Sequence, residues 1–294
     1  MKRVLFIDAV DPISKFGERF SPLWPAYLAA YIKKQIGSEK FEFRLLKGNL
    51  EKQLKSFEPH IVAISSVSMN YNFAISYARI AKKFGLPVII GGIHISNMPG
   101  SLTKDMDVGC MGEGEETFSE LLRLYLEFGN FLPNNLVKIK GIIYRDNGEL
   151  ITTPVRPLFD SLDQLPHPKR SFLGYRTTDT MLTARGCPYR CVFCSVSRYW
   201  KKVRFTSPEY VVAEIKELME RGVKIIKIYD DLFTFNKSRL EKVADKIATD
   251  ALNKRVKFTC WCRASTVTQD VVDALKLMNV VSVELALKAV VSEH

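Results

Sequence analysis

The sequence predicts an α/β fold in two parts: an N-terminal doubly wound, Rossmann-like parallel sheet, then a partial (β/α) barrel. Two observations predict this class. Short β-rich apolar runs alternate with helical segments along residues 1–139, and the same alternation resumes at about residue 177. A length of 294 residues is also enough for two domains that each bury a core.

The elements of the first part follow from composition and periodicity. Buried strands are predicted at 4–10, 41–46, 60–67 and 86–92, with a weaker strand at 107–111. Helices are predicted at 22–36, 50–57, 73–85 and 112–129. The last helix follows a glycine turn and begins with acidic residues, which is typical of a helix N-terminus.

Residues 140–176 are expected to form a hairpin and a linker. Asn147 and Gly148 stand between two β-rich runs, which is a hairpin signal. Four prolines then interrupt the chain before residue 176, and no single regular element accommodates them: Pro154, Pro157, Pro166 and Pro168.

The second domain is expected at 177–294, again as alternating strands and helices. Its strands are predicted at 180–186, 223–233, 256–264 and 280–287, and its helices at 207–222, 237–252 and 268–279. Ser207 is the expected N-cap of the first helix, Pro208 its first turn and Gly222 its stop. Repetition of this kind builds open or closed barrels.

Composition excludes several classes of protein. The sequence is 47% hydrophobic and 26% charged, and contains no uncharged apolar run of about 18 residues, so no membrane span is expected. The N-terminus lacks the features of a signal peptide, which favours the cytoplasm, where cysteines stay reduced. The net charge is +11, and residues 182–264 hold 18 Lys/Arg against 9 Asp/Glu. This balance suits an anionic cofactor or substrate, but no basic run with interleaved aromatics indicates nucleic acid.

Three cysteines lie within eight residues of the stretch RGCPYRCVFC: Cys187, Cys191 and Cys194. Zinc usually takes four ligands, commonly as two separated pairs, and no second pair is suitably placed because Cys260 and Cys262 share one face of a strand. Three thiolates instead suit a 4Fe–4S cluster with one iron open to an exogenous ligand. Zinc and no metal remain the alternatives.

This CxxxCxxC loop after the first strand of a (βα) domain resembles the signature of radical S-adenosylmethionine enzymes. The resemblance implies that the three cysteines ligate a 4Fe–4S cluster and that Phe193 lies near the adenine of S-adenosylmethionine. It also implies cofactor-binding roles for Asp230 and Asp231, which end a strand, and for Arg263, which would neutralise the methionine carboxylate. The alternatives are a helix N-cap or surface ion pair for the aspartates and a structural salt bridge for Arg263.

In this family the open iron binds the amino and carboxylate groups of S-adenosylmethionine. The reduced cluster then cleaves the sulfonium to a 5′-deoxyadenosyl radical. The resemblance therefore also implies an external electron donor such as flavodoxin or ferredoxin.

The first part resembles the cobalamin-binding domain that precedes many radical S-adenosylmethionine domains. The resemblance rests on the stretches around ISSV, IIGGIH and CMGEGEE. The residues expected to contact cobalamin are the small or polar ones at these strand ends, Ser65, Ser66, Gly91, Gly92, His94, Gly112, Glu113 and Gly114. For His94 a hydrogen-bonded loop residue is the alternative. The DxHxxG stretch that supplies a cobalt-ligating histidine in some relatives is replaced by DAVDPISKFG, so histidine ligation is not expected.

The expected function is that of a cobalamin-binding radical enzyme that transfers a methyl group to an unactivated carbon of a small biosynthetic substrate. A cyclase or oxidase that uses cobalamin without methylation is the first alternative. Methylthiotransferases share the layout, but their N-terminal domain needs three cysteines and only Cys110 is present.

The sequence also departs from the family near residue 288. The family's barrel has six strands and a glutamate that reaches the ribose of S-adenosylmethionine, whereas here four strands are visible and Lys288 takes the glutamate's place. A truncated, incomplete barrel is therefore expected, and a non-catalytic protein that binds corrinoid or a cluster is the second alternative.

Overall fold

The computed structural model describes residues 1–11, 22–37 and 39–286, and divides them into two compact units. The first unit comprises Met1–Leu158 and Leu165–Gly174. The second comprises Phe159–Gln164 and the chain from Tyr175 onward. Lys288, predicted to replace an acidic residue, lies outside the described residues.

The first unit is built on a seven-stranded sheet. Its strands are β1 (Lys2–Asp8), β2 (Phe41–Leu45), β3 (Ile61–Ser65), β4 (Val88–Gly91), β5 (Val108–Cys110), β6 (Ile142–Asp146) and β7 (Glu149–Thr152). Its helices are α1 (Leu23–Ile36), α2 (Leu50–Phe57), α3 (Tyr71–Lys83), α4 (Ile93–Asn97), α5 (Gly114–Phe128) and α6 (Pro133–Leu136). The strand order is β2-β1-β3-β4-β5-β6-β7.

The first five strands of this sheet are parallel, and the order reverses between β1 and β3. In doubly wound sheets the crevice at such a reversal, at the carboxyl ends of the strands, is where ligands bind. Ser65, at the end of β3, lies directly at this edge. The predicted Rossmann-like sheet is confirmed.

Alternate strand residues enter two separate cores, one on each face of the sheet. Val4 and Phe6 pack with residues of α1 and α5, whereas Leu5 and Ile7 pack with residues of α2 and α3. This alternation follows from the two-residue period of a strand, and both cores are needed because a parallel sheet is covered on both faces.

The hairpin expected within the linker belongs to the first sheet. Strand β6 pairs antiparallel with β5, and β7 pairs antiparallel with β6. Ile142 and Tyr144 are buried in the core beside α5. The tight turn at Asn147 and Gly148 is present, with positive φ at both residues.

The second unit is built on a four-stranded parallel sheet of order β13-β12-β11-β8. Its strands are β8 (Thr178–Met181), β11 (Ile225–Ile228), β12 (Lys257–Arg263) and β13 (Val280–Ala286); a small antiparallel pair is formed by β9 (Ala184–Arg185) and β10 (Arg204–Phe205). Its helices are α7 (Val196–Trp200), α8 (Pro208–Glu220), α9 (Lys237–Thr249) and α10 (Gln269–Leu277). In the described part of the chain this sheet is open, in agreement with the predicted partial barrel.

Among the described residues, one face of this second sheet contributes to a helix-packed core. Phe258, Cys260 and Cys262 of β12 are buried in a core formed with helices α8, α9 and α10. Trp261 and Arg263 alternate with them and border a cavity. As predicted, the first of these helices is capped by Ser207, whose hydroxyl accepts the N–H of Tyr210, with Pro208 in the first turn.

Within the described ranges, no helix is long and apolar enough to span a membrane. All six cysteines have free thiols.

Candidate functional site

The cysteine loop begins at Gly186, where any other residue would force the neighbouring backbone to move. Gly186 follows β9 with a φ of 101°, and a Cβ at this position would lie 2.7 Å from the carbonyl oxygen of Lys202. This backbone crossing directs the chain from the strand into the loop. Farther along, a turn in which the Cys194 N–H donates to the Cys191 carbonyl closes the CxxC half of the motif at 3.0 Å.

All seven residues predicted to bind the cluster or S-adenosylmethionine border one cavity of about 530 Å³: Cys187, Cys191, Cys194, Phe193, Asp230, Asp231 and Arg263. The cavity lies where β11 and β12 end, which is the side on which (β/α) folds carry their chemistry. Its volume is that of a site for a small molecule. Tyr189, Tyr229 and Trp261 also border it, and the sequence did not single out any of the three.

The three loop cysteines are the donor set that a 4Fe–4S cluster with one open iron takes. Among the described residues, no three His, Cys, Asp or Glu side chains converge closely enough to hold one metal ion. In a 4Fe–4S cluster each iron takes its own thiolate, so three thiols spread around one cavity are the appropriate donor set. Burial is the main cause that raises the pKa of the Cys187 thiol, and a hydrogen bond from the Tyr189 backbone opposes it.

A fourth thiol, Cys262, also touches the cavity but belongs to a different environment. Its side chain is buried in the hydrophobic core, and its sulfur lies 3.8 Å from that of Cys260. The two cysteines are two residues apart on one face of β12, as the sequence predicted.

The two adjacent aspartates differ in their surroundings. Asp230 is only 2% exposed, and its carboxylate accepts the backbone N–H groups of Thr183 and Ala184 and the hydroxyl of Thr183. Burial raises the pKa of Asp230 to about 6, opposed by these hydrogen bonds and by the charge of Arg239. Both of its oxygens are therefore engaged within the protein.

Asp231 remains open to the cavity and touches the cysteine loop. Its Oδ2 accepts the N–H of Gly186 at 3.0 Å, directly before Cys187. The two carboxylates together fix the backbone of residues 183–186, which leads into the loop. Neither of the alternatives weighed from the sequence, a helix N-cap or a surface ion pair, describes what they do.

Phe193, within the loop, and Arg263 border the same cavity. Phe193 is 78% exposed at the cavity. Arg263, the last residue of β12, directs its guanidinium onto the ring of Tyr189 and towards the sulfur of Cys191. Trp200, which follows the loop on α7, lies within cation–π distance of two guanidinium groups, at 5.6 Å from Arg185 and 5.5 Å from Arg204.

In the first unit, the predicted ligand contacts gather around the ends of β3 and β4. Gly92 has a φ of 96°, and a Cβ there would lie 2.7 Å from the carbonyl oxygen of Ser66 and 2.8 Å from Oγ of Ser65. Gly91 differs, because a Cβ would meet nothing closer than 3.9 Å. The backbone of this edge is therefore packed against itself at Gly92, whereas at Gly91 a Cβ would be in ordinary contact with the side chain of Cys110.

His94 is 7% exposed and is held by two neighbours. Its ring stacks on Tyr71 with centroids 3.8 Å apart, and its Nδ1 lies 3.0 Å from the hydroxyl oxygen of Ser68. Burial lowers the pKa of His94, so the ring is neutral at pH 7. Its Nε2 is buried without a hydrogen-bond partner among the described residues. His94 therefore has the side-chain contact expected of a hydrogen-bonded loop residue, and it also has one ring nitrogen without a partner among the described residues.

The turn before α5 completes this edge. Gly112 has a φ of 76°, and its N–H donates to Oγ of Ser96 at 3.0 Å. Glu113 is the buried N-cap residue of α5, and Gly114 begins the helix. Asp8, which the sequence did not single out, ends β1 beside Ser65 and accepts the indole N–H of Trp24 at 2.9 Å. Burial raises the pKa of Asp8.

Comparisons with known proteins agree with both units. Residues 11–122 match the B12 binding domain, and residues 181–294 match the Radical SAM superfamily. An uncharacterized methyltransferase from Pyrococcus horikoshii is 32% identical over 94% of this chain and 63% of its own length. An anaerobic magnesium-protoporphyrin IX monomethyl ester cyclase from Cereibacter sphaeroides is 27% identical over 85% of this chain and 44% of its own length.

The fold also has a solved counterpart. The radical S-adenosylmethionine methyltransferase TsrM from Kitasatospora setae, solved with cobalamin and a 4Fe–4S cluster, superposes with a TM-score of 0.77 at 18% identity. The match covers 97% of this chain and 61% of TsrM.

An α/β chain with a doubly wound sheet, followed by parallel strands that carry a three-cysteine loop, defines a two-domain cofactor-binding protein. The chain belongs to the cobalamin-binding radical S-adenosylmethionine family, with a B12 binding domain followed by a Radical SAM domain. These two domains imply cobalamin, a 4Fe–4S cluster and S-adenosylmethionine as cofactors, and the relatives above are named as enzymes. The chain spans less than two thirds of the length of these relatives.

Proposed function

We propose that this protein cleaves S-adenosylmethionine reductively and uses the resulting radical to methylate an unactivated carbon of a small biosynthetic substrate. The observation that carries the proposal is the gathering of Cys187, Cys191 and Cys194 around one cavity with Asp231 and Arg263. The bound cluster supplies the electron for this cleavage, and cobalamin supplies methyl-transfer chemistry.

In this proposal the loop cysteines ligate the cluster, and the neighbouring residues shape the space for S-adenosylmethionine. Phe193 presents an exposed ring at the cavity, which suits stacking on an adenine. Asp231 holds the Gly186 peptide and keeps a carboxylate at the cavity edge, where it suits a hydroxyl or an ammonium group. Asp230 acts through Thr183 and Ala184 and not on the cofactor directly.

In the first unit, we propose that cobalamin binds at the carboxyl edge of the sheet. Ser65, Ser66 and the backbone at Gly91 and Gly92 would contact it, and the turn at Gly112–Gly114 would border it. The free Nε2 of His94 is a buried polar group with no partner in the described protein, which a ligand's hydrogen-bonding group would satisfy.

The proposed setting follows from the same chemistry. Reductive cleavage needs a one-electron donor, so a small redox protein such as flavodoxin or ferredoxin is the proposed partner. A reduced cluster and free thiols suit the cytoplasm, which is the proposed location.

The test is product analysis after anaerobic reconstitution with iron, sulfide and hydroxocobalamin. With S-adenosylmethionine and a chemical reductant, the protein should form 5′-deoxyadenosine and methionine, and the Cys187→Ala/Cys191→Ala/Cys194→Ala variant should form neither. Iron-loaded protein that forms neither product would contradict the proposal.

A second candidate is radical ring formation without methylation, which the resemblance to the magnesium-protoporphyrin IX monomethyl ester cyclase favours. The same assay separates the two functions. S-adenosylhomocysteine remains when S-adenosylmethionine donates its methyl group, and a cyclase has no need to form it. Formation of 5′-deoxyadenosine without S-adenosylhomocysteine would favour the cyclase.

A further inference from the structure

Arg263 is fixed against the cysteine loop by its planar guanidinium. Its Cζ lies 3.8 Å from the centroid of the Tyr189 ring. Tyr189 stands between Cys187 and Cys191 in the loop, so this contact joins the end of β12 to the cluster-binding segment. A guanidinium at this distance over an aromatic face is attracted by the negative face of the ring.

The same side chain brings a positive charge to one loop sulfur. Nη1 of Arg263 lies 4.0 Å from Sγ of Cys191, and its Nε donates to Oγ of Ser265 at 2.9 Å. The ring against its face and the hydrogen bond from its Nε together fix the plane of the guanidinium. Arginine keeps its charge at every accessible pH.

No carboxylate in the described part of the chain lies within 4.0 Å of this guanidinium. Asp231 borders the same cavity, but it accepts a hydrogen bond from Gly186. The structural salt bridge weighed from the sequence is therefore not formed in these residues. The positive charge of Arg263 is therefore not neutralised by a carboxylate in the described residues, and it acts on the Cys191 sulfur and on the cavity.

We propose that Arg263 is a positioning residue that holds the cysteine loop through Tyr189 and raises the reduction potential of the cluster. The inference rests on the proposed function, because it requires Cys187, Cys191 and Cys194 to hold the cluster. Reduction adds one negative charge to the cluster, and a fixed cation beside a ligating sulfur stabilises the reduced form more than the oxidised form. The partner groups that surround metal ligands tune the bound group in this way.

The test is a redox titration of the reconstituted protein without S-adenosylmethionine, followed by EPR of the reduced cluster. In Arg263→Gln the ratio of reduced to oxidised cluster at a fixed potential should fall about tenfold, which corresponds to about 59 mV for a one-electron couple. Arg263→Lys keeps the charge, so in this variant the ratio of reduced to oxidised cluster should fall less than in Arg263→Gln. Arg198→Gln removes a cation from an exposed position on α7 and serves as the matched control, with a potential close to that of the wild type.

If Arg263→Gln does not assemble a cluster, a second variant that preserves every thiol and charge still tests the inference. Tyr189→Leu removes the ring that fixes the guanidinium, so its potential should fall between those of the wild type and Arg263→Gln. Tyr189→Phe keeps the ring and should retain the wild-type potential.

Equal potentials in wild type, Arg263→Gln and Tyr189→Leu would overturn the inference. It would also be overturned if Arg263→Gln lost only the change in the EPR signal on adding S-adenosylmethionine, since Arg263 would then act on the methionine carboxylate alone. Failure of the wild type to load a cluster is a distinct result, because it removes the proposed function together with this inference.

Discussion

The carboxyl ends of the two parallel sheets are constructed in opposite ways. In the first unit the edge is shaped by a missing side chain, since Gly92 packs against the backbone of Ser66 and leaves no room for a Cβ. In the second unit the edge is shaped by side chains, since Asp230 and Asp231 fix the backbone that leads to the loop cysteines.

This difference agrees with the chemistry that each edge is proposed to perform. A large, preformed cofactor needs room and close backbone approach, which glycines provide. A cluster needs ligands at defined positions, which requires a supporting layer of hydrogen bonds behind them. Substitutions that add atoms should therefore disturb the strand ends of the first unit. Substitutions that remove atoms should disturb those of the second unit.

The largest effect is expected for the loop cysteines. Replacing Cys187, Cys191 or Cys194 singly by alanine should abolish assembly of an oxygen-sensitive 4Fe–4S cluster, because in the proposed function each ligates a different iron. Iron and sulfide content with the absorbance near 400 nm measures the result. Cys110→Ala, in the buried core of the first unit, should assemble a full cluster. A full cluster in any loop variant would show that the motif is not the ligand set.

Removing the Asp230 side chain should destabilise the second unit by about 4 kcal/mol. Asp230→Ala leaves the N–H groups of Thr183 and Ala184 without their acceptor and the buried Arg239 without its opposing charge. Urea unfolding of the apoprotein measures this cost. Asp245→Ala, exposed on α9, should cost less than about 0.5 kcal/mol. Equal stability of both variants would contradict the role assigned to Asp230.

Adding one methyl group at Gly92 should destabilise the first unit by about 3 kcal/mol and weaken cobalamin binding. The φ of 96° is strained for alanine, and the new Cβ would contact the Ser66 carbonyl, which is backbone and cannot move aside. Unfolding of Gly92→Ala and absorbance titration with hydroxocobalamin measure both effects. Gly100→Ala has no atom within 4 Å of the new Cβ and should behave as wild type. If Gly92→Ala binds cobalamin and unfolds as the wild type does, the close backbone contact at Gly92 determines neither cobalamin binding nor stability.

Asp230 in the second unit and the histidines His94 and His60 of the first unit should also respond to acid with opposite signs. The pKa of Asp230 is raised from 3.8 to about 6, so the folded second unit binds more protons than the unfolded chain between these values and gains about 1 kcal/mol from pH 7 to pH 5. Burial lowers the pKa of His94 and of His60, so these two histidines destabilise the first unit on acidification, because they protonate more readily in the unfolded chain. The pKa of Asp8 is raised by burial, so this residue acts in the opposite direction.

Hydrogen exchange of β3 and β11 amides, corrected for intrinsic rates, measures the two units separately. Between pH 7 and pH 5 protection should decrease in β3 relative to β11, and His94→Gln should reduce this difference. A parallel change in both strands would contradict the assignment.

Much of the fold was predictable because hydrophobic periodicity is local. The helix predicted at 50–57 is α2 (Leu50–Phe57), and the strand predicted at 256–264 is β12. The strand predicted at 180–186 is interrupted instead, because the buried carboxylate of Asp230 takes the N–H groups of Thr183 and Ala184. That carboxylate is 46 or 47 residues away in sequence, so no local pattern could indicate the break.

The grouping of the candidate ligands was predictable from the sequence, and the residues that support them were less so. Cysteine spacing identified the loop, and all seven residues predicted around it border one cavity. The sequence could not distinguish Asp230 from Asp231, because burial of one and not the other depends on packing between strands. Tyr189 was missed although it lies inside the motif, since its function depends on Arg263, 74 residues farther along.

The central claim is that the three-cysteine loop holds a 4Fe–4S cluster with one iron open to S-adenosylmethionine. The most direct measurement is EPR of the anaerobically reconstituted and reduced protein, recorded with and without S-adenosylmethionine. A 4Fe–4S signal whose g-values shift when S-adenosylmethionine is added is the predicted result. A cluster signal that does not change on this addition would contradict the account.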